Sequence, residues 1–131
     1  MVCLDTSVLV AILRKEEDVI QRVEKEALQG TRLSTTPVNL CELYDGAYGS
    51  RNSTKELAKV DDLVNLLDIL EFNMDACRKY GEKINQAPLK NEPIGDFDLI
   101  IACIAMSHGE ALVTRNIEHF GRVPGLVVQY W

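Results

Sequence analysis

The stretch Met1–Leu13, MVCLDTSVLVAIL, places one carboxylate, Asp5, between two apolar runs. Val2–Leu4 predicts a short buried strand, and Val8–Leu13 predicts the apolar start of a helix. An acid at this junction is either the cap of the helix, since Asp is a preferred capping residue, or part of a site. Residues elsewhere in the chain decide between the two.

Strand-like and helix-like patterns alternate along the chain, with no internal repeat and no low-complexity tract. After Val2–Leu4, the predicted strands are TRLSTTP (31–37), DILEF (68–72), ALVT (111–114) and GLVVQY (125–130). The helix that starts at Val8 is followed by predicted helices at 16–28, 37–49, 53–67, 75–87 and 97–107, and by the helical turn NIEHF (116–120). This alternation predicts an α/β fold with a mainly parallel sheet covered by helices on both faces.

Residues with special backbone preferences mark several helix ends. Pro37 suits the first position of a helix, where no N–H is needed. Gly30 predicts the end of the preceding helix. Ser53 is expected to cap the helix 53–67, and Glu56 three residues later would complete a capping box.

The length of 131 residues and the 47% hydrophobic content predict a single domain, 1–131, with a real core. No segment approaches the roughly 18 apolar residues that a membrane span needs. The N-terminal residues carry neither a basic stretch nor a small-residue cleavage site. We therefore expect a soluble, cytoplasmic protein with no membrane contact.

The four cysteines, Cys3, Cys41, Cys77 and Cys103, are widely separated and lie among apolar residues. Their spacing is not that of a zinc site or a redox motif. We expect four buried, reduced thiols, as is usual for free cysteine.

The net charge of −6 argues against non-specific attraction to nucleic acid, which needs clustered Lys and Arg. Carboxylates that gather around divalent cations change this conclusion, because the bound ions cancel their charge and attract phosphate. The positions of the acidic residues are therefore more informative than their number.

Ligands of parallel α/β sheets bind beyond the carboxyl ends of the strands. Three polar segments follow predicted strands here: Asp5, the STTP loop (34–37), and Thr114 to Asn116. All of them are expected at one edge of the sheet. For Asn116, a plain helix cap is the default interpretation.

Three more acids belong to helices. Glu42 lies in CELYDGAY (41–48), on a helix face with small residues, although a lone Glu on a helix is usually solvated. Asp96 and Asp98 crowd the start of the most apolar helix, in PIGDFDLIIACIAM (93–106). One cap and a favourable charge at the positive helix end would explain either acid alone. Two acids exceed what one cap requires.

A cluster of carboxylates repels itself unless cations are bound, and oxygen ligands suit Mg²⁺ or Mn²⁺ rather than zinc. Such a site suits phosphate-ester chemistry, because the metal can lower the pKa of an attacking water and stabilise the leaving oxygen.

Four segments in order carry a resemblance to a known family: LDTSVLVAIL (4–13), CELYDGAY (41–48), PIGDFDLIIACIA (93–105) and LVTRNIEHFGRVPGL (112–126). They are similar to the PIN domain, and most closely to VapC-type toxins of toxin–antitoxin pairs. The resemblance covers nearly the whole chain. It implies a three-layer α/β/α sandwich and a metal-dependent endoribonuclease that leaves a 5′-phosphate.

The resemblance also implies roles for individual residues. Asp5, Glu42 and Asp98 would form the acidic core, with Asp5 and Asp98 as Mg²⁺ ligands; Asp96 matches a position that is not always acidic. Thr114 and Asn116 match polar residues that support the site. The chain departs from the family at His119, where many members have Asp or Glu. We expect His119 to be a structural residue or to contact a ligand of the metal; the alternatives are that it binds the metal itself or makes a pH-sensitive contact to phosphate.

The partners implied by the resemblance are an RNA substrate, a small antitoxin and a second copy of the chain in a homodimer. Scattered cations, Arg14, Lys15, Arg51, Arg115 and Arg122, are candidates for phosphate contacts. VDDLVNLLDIL (60–70) could form an apolar partner surface, and core packing explains the same residues equally well.

Three alternatives to the toxin interpretation stay open. A phosphotransfer enzyme of the haloacid dehalogenase or receiver type also has an Asp after its first strand, but Ser7 stands where the first would need a second Asp, and no lysine follows the late strand. A non-catalytic PIN-like module that binds RNA or protein would fit the histidine at position 119. A housekeeping RNA-processing nuclease would use the same site as a toxin.

Overall fold

A parallel sheet of five strands forms the frame of the molecule, in a computed structural model that describes all 131 residues. The strands, in chain order, are β1 (Val2–Leu4), β2 (Leu33–Thr35), β3 (Asp68–Ile69), β4 (Ala111–Val113) and β5 (Val128–Gln129). They lie in the order β3-β2-β1-β4-β5, and every neighbouring pair is parallel. The predicted sheet is confirmed, and it is parallel throughout.

Helices cover both faces of this sheet. They are α1 (Thr6–Leu13), α2 (Glu17–Leu28), α3 (Pro37–Tyr48), α4 (Ser53–Val64), α5 (Met74–Ile84), α6 (Asp96–Ser107) and α7 (Ile117–Phe120). Successive side chains of a strand point to opposite faces. Cys3 and Leu112 accordingly pack with residues of α5 and α6, whereas Leu4 and Val113 pack with residues of α1, α3 and α4. The three-layer α/β/α arrangement is confirmed.

Two of the predicted helix ends are confirmed. Pro37 is the first residue of α3, and Thr36 before it caps the helix by accepting a hydrogen bond from the Asn39 N–H at 3.3 Å. Gly30 follows α2 in the left-handed conformation, with φ 76°, which glycine adopts without steric cost.

The predicted cap of α4 is wrong by one residue. Asn52, not Ser53, is the cap, and its Oδ1 accepts a hydrogen bond from the Lys55 N–H at 3.3 Å. Ser53 is already helical, so the predicted capping box with Glu56 does not form. Asn and Ser are comparable caps, and the sequence offers both in succession.

Helix α5 is also shifted from its predicted range of 75–87. It begins at Met74, because the Asn73 side chain caps it by accepting from the Ala76 N–H at 2.9 Å. It ends at Ile84, where the side chain of Asn85 donates to the Gly81 carbonyl at 2.8 Å. A proline disfavours helical geometry in the residue before it, so Pro88 prevents the extension to 87.

All four cysteines are free thiols, but only two are buried as predicted. Cys3 and Cys103 lie in the core, whereas Cys41 and Cys77 are exposed. The prediction is wrong for the second pair because apolar neighbours in sequence do not fix the direction of a helical side chain. Both residues lie on the outward faces of α3 and α5, which the 3.6-residue period determines.

Helix α6 is the most deeply buried helix of the fold. Six of its 12 residues are buried, and Ile104 is fully so. Its position against the sheet fixes the direction of its first turn, which carries Asp96 and Asp98. Neither α6 nor any other helix is long and apolar enough to cross a membrane.

Shortening Ile104 tests this core. Ile104→Ala should lower the free energy of unfolding by about 2–5 kcal/mol, because it removes buried methyl groups and leaves a cavity. Leu28→Ala is the matched control, since Leu28 is 90% exposed and its truncation should change stability by less than about 0.5 kcal/mol. Urea unfolding of both variants measures the difference. Equal effects would contradict the assignment of α6 to the core.

Candidate active site

Asp5 lies directly after β1, at the point where the strand order of the sheet reverses. Strand β1 has β2 on one side and β4 on the other: the chain runs outward from β1 through β2 to β3, and then returns to β4 on the other side of β1. The crevice at such a switch point is the usual ligand site of an open parallel sheet. The Asp5 N–H donates to the Val113 carbonyl at 2.9 Å, so the backbone fixes this residue to the end of β4.

The Asp5 carboxylate is held by three side chains from different elements. Its Oδ2 accepts hydrogen bonds from Thr114 Oγ1 at 2.8 Å and Ser7 Oγ at 3.1 Å, and its Oδ1 accepts from Asn39 Nδ2 at 3.3 Å. Asp5 occupies the cap position of α1, but its side chain makes no capping hydrogen bond. The helix-cap interpretation of this side chain is therefore wrong.

Glu42 faces Asp5 from α3. Its Oε1 accepts a hydrogen bond from Thr6 Oγ1 at 2.7 Å, and Thr6 Oγ1 accepts one from Asn39 Nδ2 at 3.0 Å. Partial burial raises the pKa of Glu42, and the charges of Asp5 and Asp98 raise it further, against the opposing effect of the Thr6 hydrogen bond. Glu42 is therefore not the solvated residue that a lone helical Glu usually is.

Asp98, the third residue of α6, approaches the same place from the other side of the sheet. Its Oδ2 lies 2.8 Å from His119 Nε2, and His119 Nδ1 lies 3.3 Å from an Arg122 guanidinium nitrogen. Burial is the main cause that raises the pKa of Asp98, and the charge of Asp5 adds to it, whereas His119 lowers it. The structure thus brings Asp5, Glu42 and Asp98 close enough for their charges to interact.

Asp96 does not belong to this group of three carboxylates. Its Oδ1 accepts a hydrogen bond from the Tyr80 hydroxyl of α5 at 2.8 Å, and the side chain is exposed. Two residues along a helix correspond to a rotation of about 200°, so Asp96 and Asp98 lie on nearly opposite sides of α6. Neither acid caps α6, because Gly95 occupies the cap position.

Thr114 and Asn116, at the end of β4, differ in their contacts. Thr114 is buried against Asp5, as the position after a strand predicts. Asn116 is exposed, and its backbone N–H donates to Thr114 Oγ1 at 3.0 Å. Its side chain makes no capping hydrogen bond to α7, so the default interpretation as a cap is wrong.

Three residues that hold the carboxylates were not predicted from the sequence: Thr6, Ser7 and Asn39. Asn39 is fully buried and binds both Asp5 and Thr6. The segment TTPVN (35–39) held a signal for it, since Thr36 and Asn39 form a capping box that fixes the Asn39 side chain. Ser7 also accepts a hydrogen bond from the Arg115 N–H at 3.1 Å, which links α1 to the loop after β4.

The donor set of this cluster suits a divalent cation with an oxygen preference. Asp5, Glu42 and Asp98 are three carboxylates with mutually unfavourable charges, which a cation would offset. No three His, Cys, Asp or Glu side chains converge into a ready-made metal group. Mg²⁺ keeps several water ligands and is usually held by one or two carboxylates, so this looser arrangement fits a hydrated ion. It does not fit a four-coordinate zinc site.

The fold and this cluster together define a class of protein. It is a parallel α/β sandwich with a group of acidic oxygen donors at the switch point of its sheet. Such donors are suited to metal-assisted reactions of phosphate esters.

The chain belongs to the PIN domain family, which it matches over residues 2–126. It is 30% identical to "Ribonuclease VapC1" of Haemophilus influenzae, over 98% of this chain and 96% of the relative. It is 29% identical to "tRNA(fMet)-specific endonuclease VapC" of Salmonella typhimurium over the same shares. A crystal structure of VapBC2 from Rickettsia felis bound to a promoter DNA fragment has a TM-score of 0.92 and 28% identity, and covers 100% of this chain and 99% of that one. The resemblance found in the sequence is confirmed.

The raised pKa of Glu42 predicts how the metal-free protein responds to pH. Glu42→Gln retains the acceptor for Thr6 and removes one of the clustered charges. With chelator at pH 7, we expect this variant to be more stable than the parent by up to about 1 kcal/mol. Denaturant unfolding across pH measures the gain.

The sign of the pH dependence follows from the pKa shift. Because the pKa of Glu42 is higher in the folded chain than its ordinary value of 4.5, stability falls as pH rises from that value through the raised one, and is then constant. The gain from Glu42→Gln should therefore vanish below pH 4.5. Glu24→Gln, at an exposed residue of α2, should show no such dependence. A gain for Glu42→Gln that is the same at every pH would contradict the interpretation.

Proposed function

We propose that this protein is a divalent-metal-dependent endoribonuclease and the toxin of a VapBC-type toxin–antitoxin pair. The observation that carries the proposal is that Asp5, Glu42 and Asp98 lie near enough for their charges to interact, at the switch point of a PIN-domain sheet. The relatives are called ribonucleases or endonucleases, which agrees with the predicted class of enzyme, a hydrolase of phosphodiester bonds.

The metal-holding residues in this proposal are Asp5, Asp98 and Glu42, with Mg²⁺ as the expected ion and Mn²⁺ as a substitute. A divalent cation bound there supplies Lewis acidity, which makes an attacking water more acidic and offsets charge on the phosphate and the leaving oxygen. Asp96 is the least suitable of the four predicted metal ligands, because its carboxylate accepts a hydrogen bond from the Tyr80 hydroxyl.

The remaining polar residues position the carboxylates. Ser7, Thr114 and Asn39 fix both oxygens of Asp5, and Thr6 fixes one oxygen of Glu42. Hydrogen-bonded groups around metal ligands orient them and tune their affinity. The loop containing Asn116 is tied to this network through its backbone N–H rather than through its side chain.

His119 contacts Asp98 at a position where the family resemblance implies Asp or Glu, and we propose that it orients this ligand. Its other ring nitrogen faces Arg122, so the histidine links the site to a cation. An aspartate or glutamate would add a fourth charge to the cluster. A histidine instead opposes the rise in the pKa of Asp98 that burial and the charge of Asp5 cause.

The proposed partners are an RNA substrate, a small antitoxin and a second copy of the chain. The antitoxin is supported by the VapBC complexes of similar fold. The predicted partner surface at 60–70 is partly core, because Val60 and Leu63 are buried, but Leu66 is 79% exposed. We further propose that residues 1–131 act as one PIN-like domain in the cytoplasm.

The first test is cleavage of a labelled structured RNA and a labelled single-stranded RNA, with Mg²⁺, Mn²⁺ or chelator. We expect cutting that requires the metal, because the carboxylates alone repel phosphate. Asp5→Asn/Asp98→Asn should lose cleavage by at least about 100-fold, since it removes two of the proposed metal ligands. Asp62→Asn/Asp75→Asn makes the same change in net charge at two exposed residues and should cut normally.

Circular dichroism of the double variant shows whether it is folded. Full activity of a folded Asp5→Asn/Asp98→Asn protein would refute the site. No cleavage of any RNA by the parent protein would favour the non-catalytic binding module instead. Cleavage without toxicity on expression would favour the housekeeping nuclease.

His119 provides a second test. His119→Ala should lower the apparent Mg²⁺ affinity and the cleavage rate by about 10–100-fold, the range found for residues that orient metal ligands. His108→Ala is the matched control, because His108 is the other histidine of the chain and its side chain hydrogen-bonds to the Glu71 carbonyl at 2.9 Å, not to a carboxylate. Equal activity of the two variants would argue against a role for His119.

A further inference from the structure

A cleft of about 740 Å³ lies between α1, α3 and α4, and one of the residues that line it is Glu42. The cleft therefore runs into the proposed active site. Its floor includes Gly46 and Ala47 of α3, where small side chains leave open space. A polymer that lies in the cleft would reach the carboxylates at one end.

Four cations line this cleft in a chain that is acidic overall. Arg14 and Lys15 come from the end of α1, and Lys55 and Lys59 come from α4. They are four of the 14 Lys and Arg residues, and they face only two acids there, Glu42 and Glu56. The lining thus has a formal charge of +2, whereas the chain has −6.

Most of these cations are free to bind a ligand. Arg14, Lys15 and Lys55 are exposed and form no ion pair, and Lys59 has only a long contact of 3.4 Å to Glu56. Two other arginines near the site already form ion pairs within the chain. Arg115 pairs with Glu16 at 2.9 Å, and Arg122 lies 3.4 Å from Glu92.

Lys15 has a left-handed backbone conformation. It is the one residue other than glycine with positive φ, at 58°, immediately after the C-cap of α1. Glycine is the usual residue in this conformation, because a Cβ atom makes it unfavourable. A lysine there carries a conformational cost that glycine would avoid, and it places an ammonium group at the cleft.

We propose that this cleft binds the backbone of a single RNA strand and leads it to the carboxylates. The inference rests on the proposed ribonuclease function and assigns a substrate-binding surface to it. Unpaired cations on two facing helices suit a polyanion, and bound phosphates would offset their charge. No aromatic side chain lines the cleft, so the contacts are to phosphates rather than to stacked bases. Binding along the cleft therefore depends little on base sequence.

Two substitutions test the cleft without weakening the fold. Lys15→Gly removes a cation and relieves the left-handed backbone, so it should be at least as stable as the parent. Lys55→Glu reverses a charge in the first turn of α4, where an acid is favourable at the positive end of the helix dipole. Lys90→Glu is the control for Lys55→Glu, because Lys90 is exposed, lies outside the cleft and its substitution gives the same change in net charge.

The probe is a fluorescein-labelled single-stranded RNA of about 12 nucleotides, with Mg²⁺, measured by anisotropy on an Asp98→Asn background that prevents cutting. We expect each cleft substitution to weaken binding about 3–10-fold and the control to leave it unchanged. The slope of log affinity against log salt should fall by about 0.7 for each phosphate that is no longer neutralised. On chains with Asp98 intact, KM for RNA cleavage should rise by a similar factor with little change in kcat.

The outcomes separate this inference from the function on which it rests. In one outcome, the parent cleaves RNA with metal while Lys15→Gly and Lys55→Glu leave both RNA affinity and KM unaltered. This result would overturn the RNA cleft and leave the nuclease intact. It would also point to a protein segment as the occupant. A fall in affinity in Lys90→Glu equal to that in Lys55→Glu would show a general charge effect and would likewise overturn the inference. Absence of cleavage by the parent, with RNA affinity reduced in the cleft variants and not in Lys90→Glu, would overturn the nuclease and leave the RNA cleft intact. Absence of both cleavage and RNA binding would overturn both proposals.

Discussion

The hydrogen bonds to the Asp5 carboxylate are the interactions on which the site depends. Asp5 is only 6% exposed, and a buried charge is tolerated where hydrogen-bond donors replace the water that solvates it in the unfolded chain. Ser7, Thr114 and Asn39 supply these donors from α1, from the end of β4 and from α3. One carboxylate thus connects the centre of the sheet with a helix layer, and the same helix α3 that carries Asn39 also carries Glu42, three residues later.

This arrangement places carboxylates of like charge near one another, which is unfavourable. Glu42 and Asp98 both have a raised pKa, because each is partly buried and each lies near Asp5. The apolar packing on both faces of the sheet keeps the three acids together despite their repulsion. The same repulsion favours a divalent cation, and a cation in turn makes the crevice attractive to phosphate. A cleft with unpaired lysines and arginine beside Glu42 extends this attraction along α1 and α4.

The fold was predictable from the sequence because strand and helix patterns alternate, and parallel strands then place the residues that follow them at one edge. That rule is sufficient to locate Asp5 and Thr114. Side-chain partners were less predictable, since they depend on how separate elements pack. Asn39 reaches Asp5 only because α3 packs beside α1, and the sequence places Asp96 two residues before Asp98 without showing that the helix directs it towards Tyr80. The predicted cap of α4 failed for a local reason, because Asn52 and Ser53 are neighbours of comparable capping preference.

The central claim is that Asp5, Glu42 and Asp98 hold a divalent cation, and a crystal soaked in Mn²⁺ tests it most directly. An anomalous difference map distinguishes Mn²⁺ from water and from the lighter atoms of the protein. We expect a peak within coordination distance of Asp5 and Asp98, with Glu42 bound directly or through water, and no peak in crystals of Asp5→Asn. A fully soaked crystal with an accessible crevice and Mn²⁺ bound only elsewhere would contradict the claim.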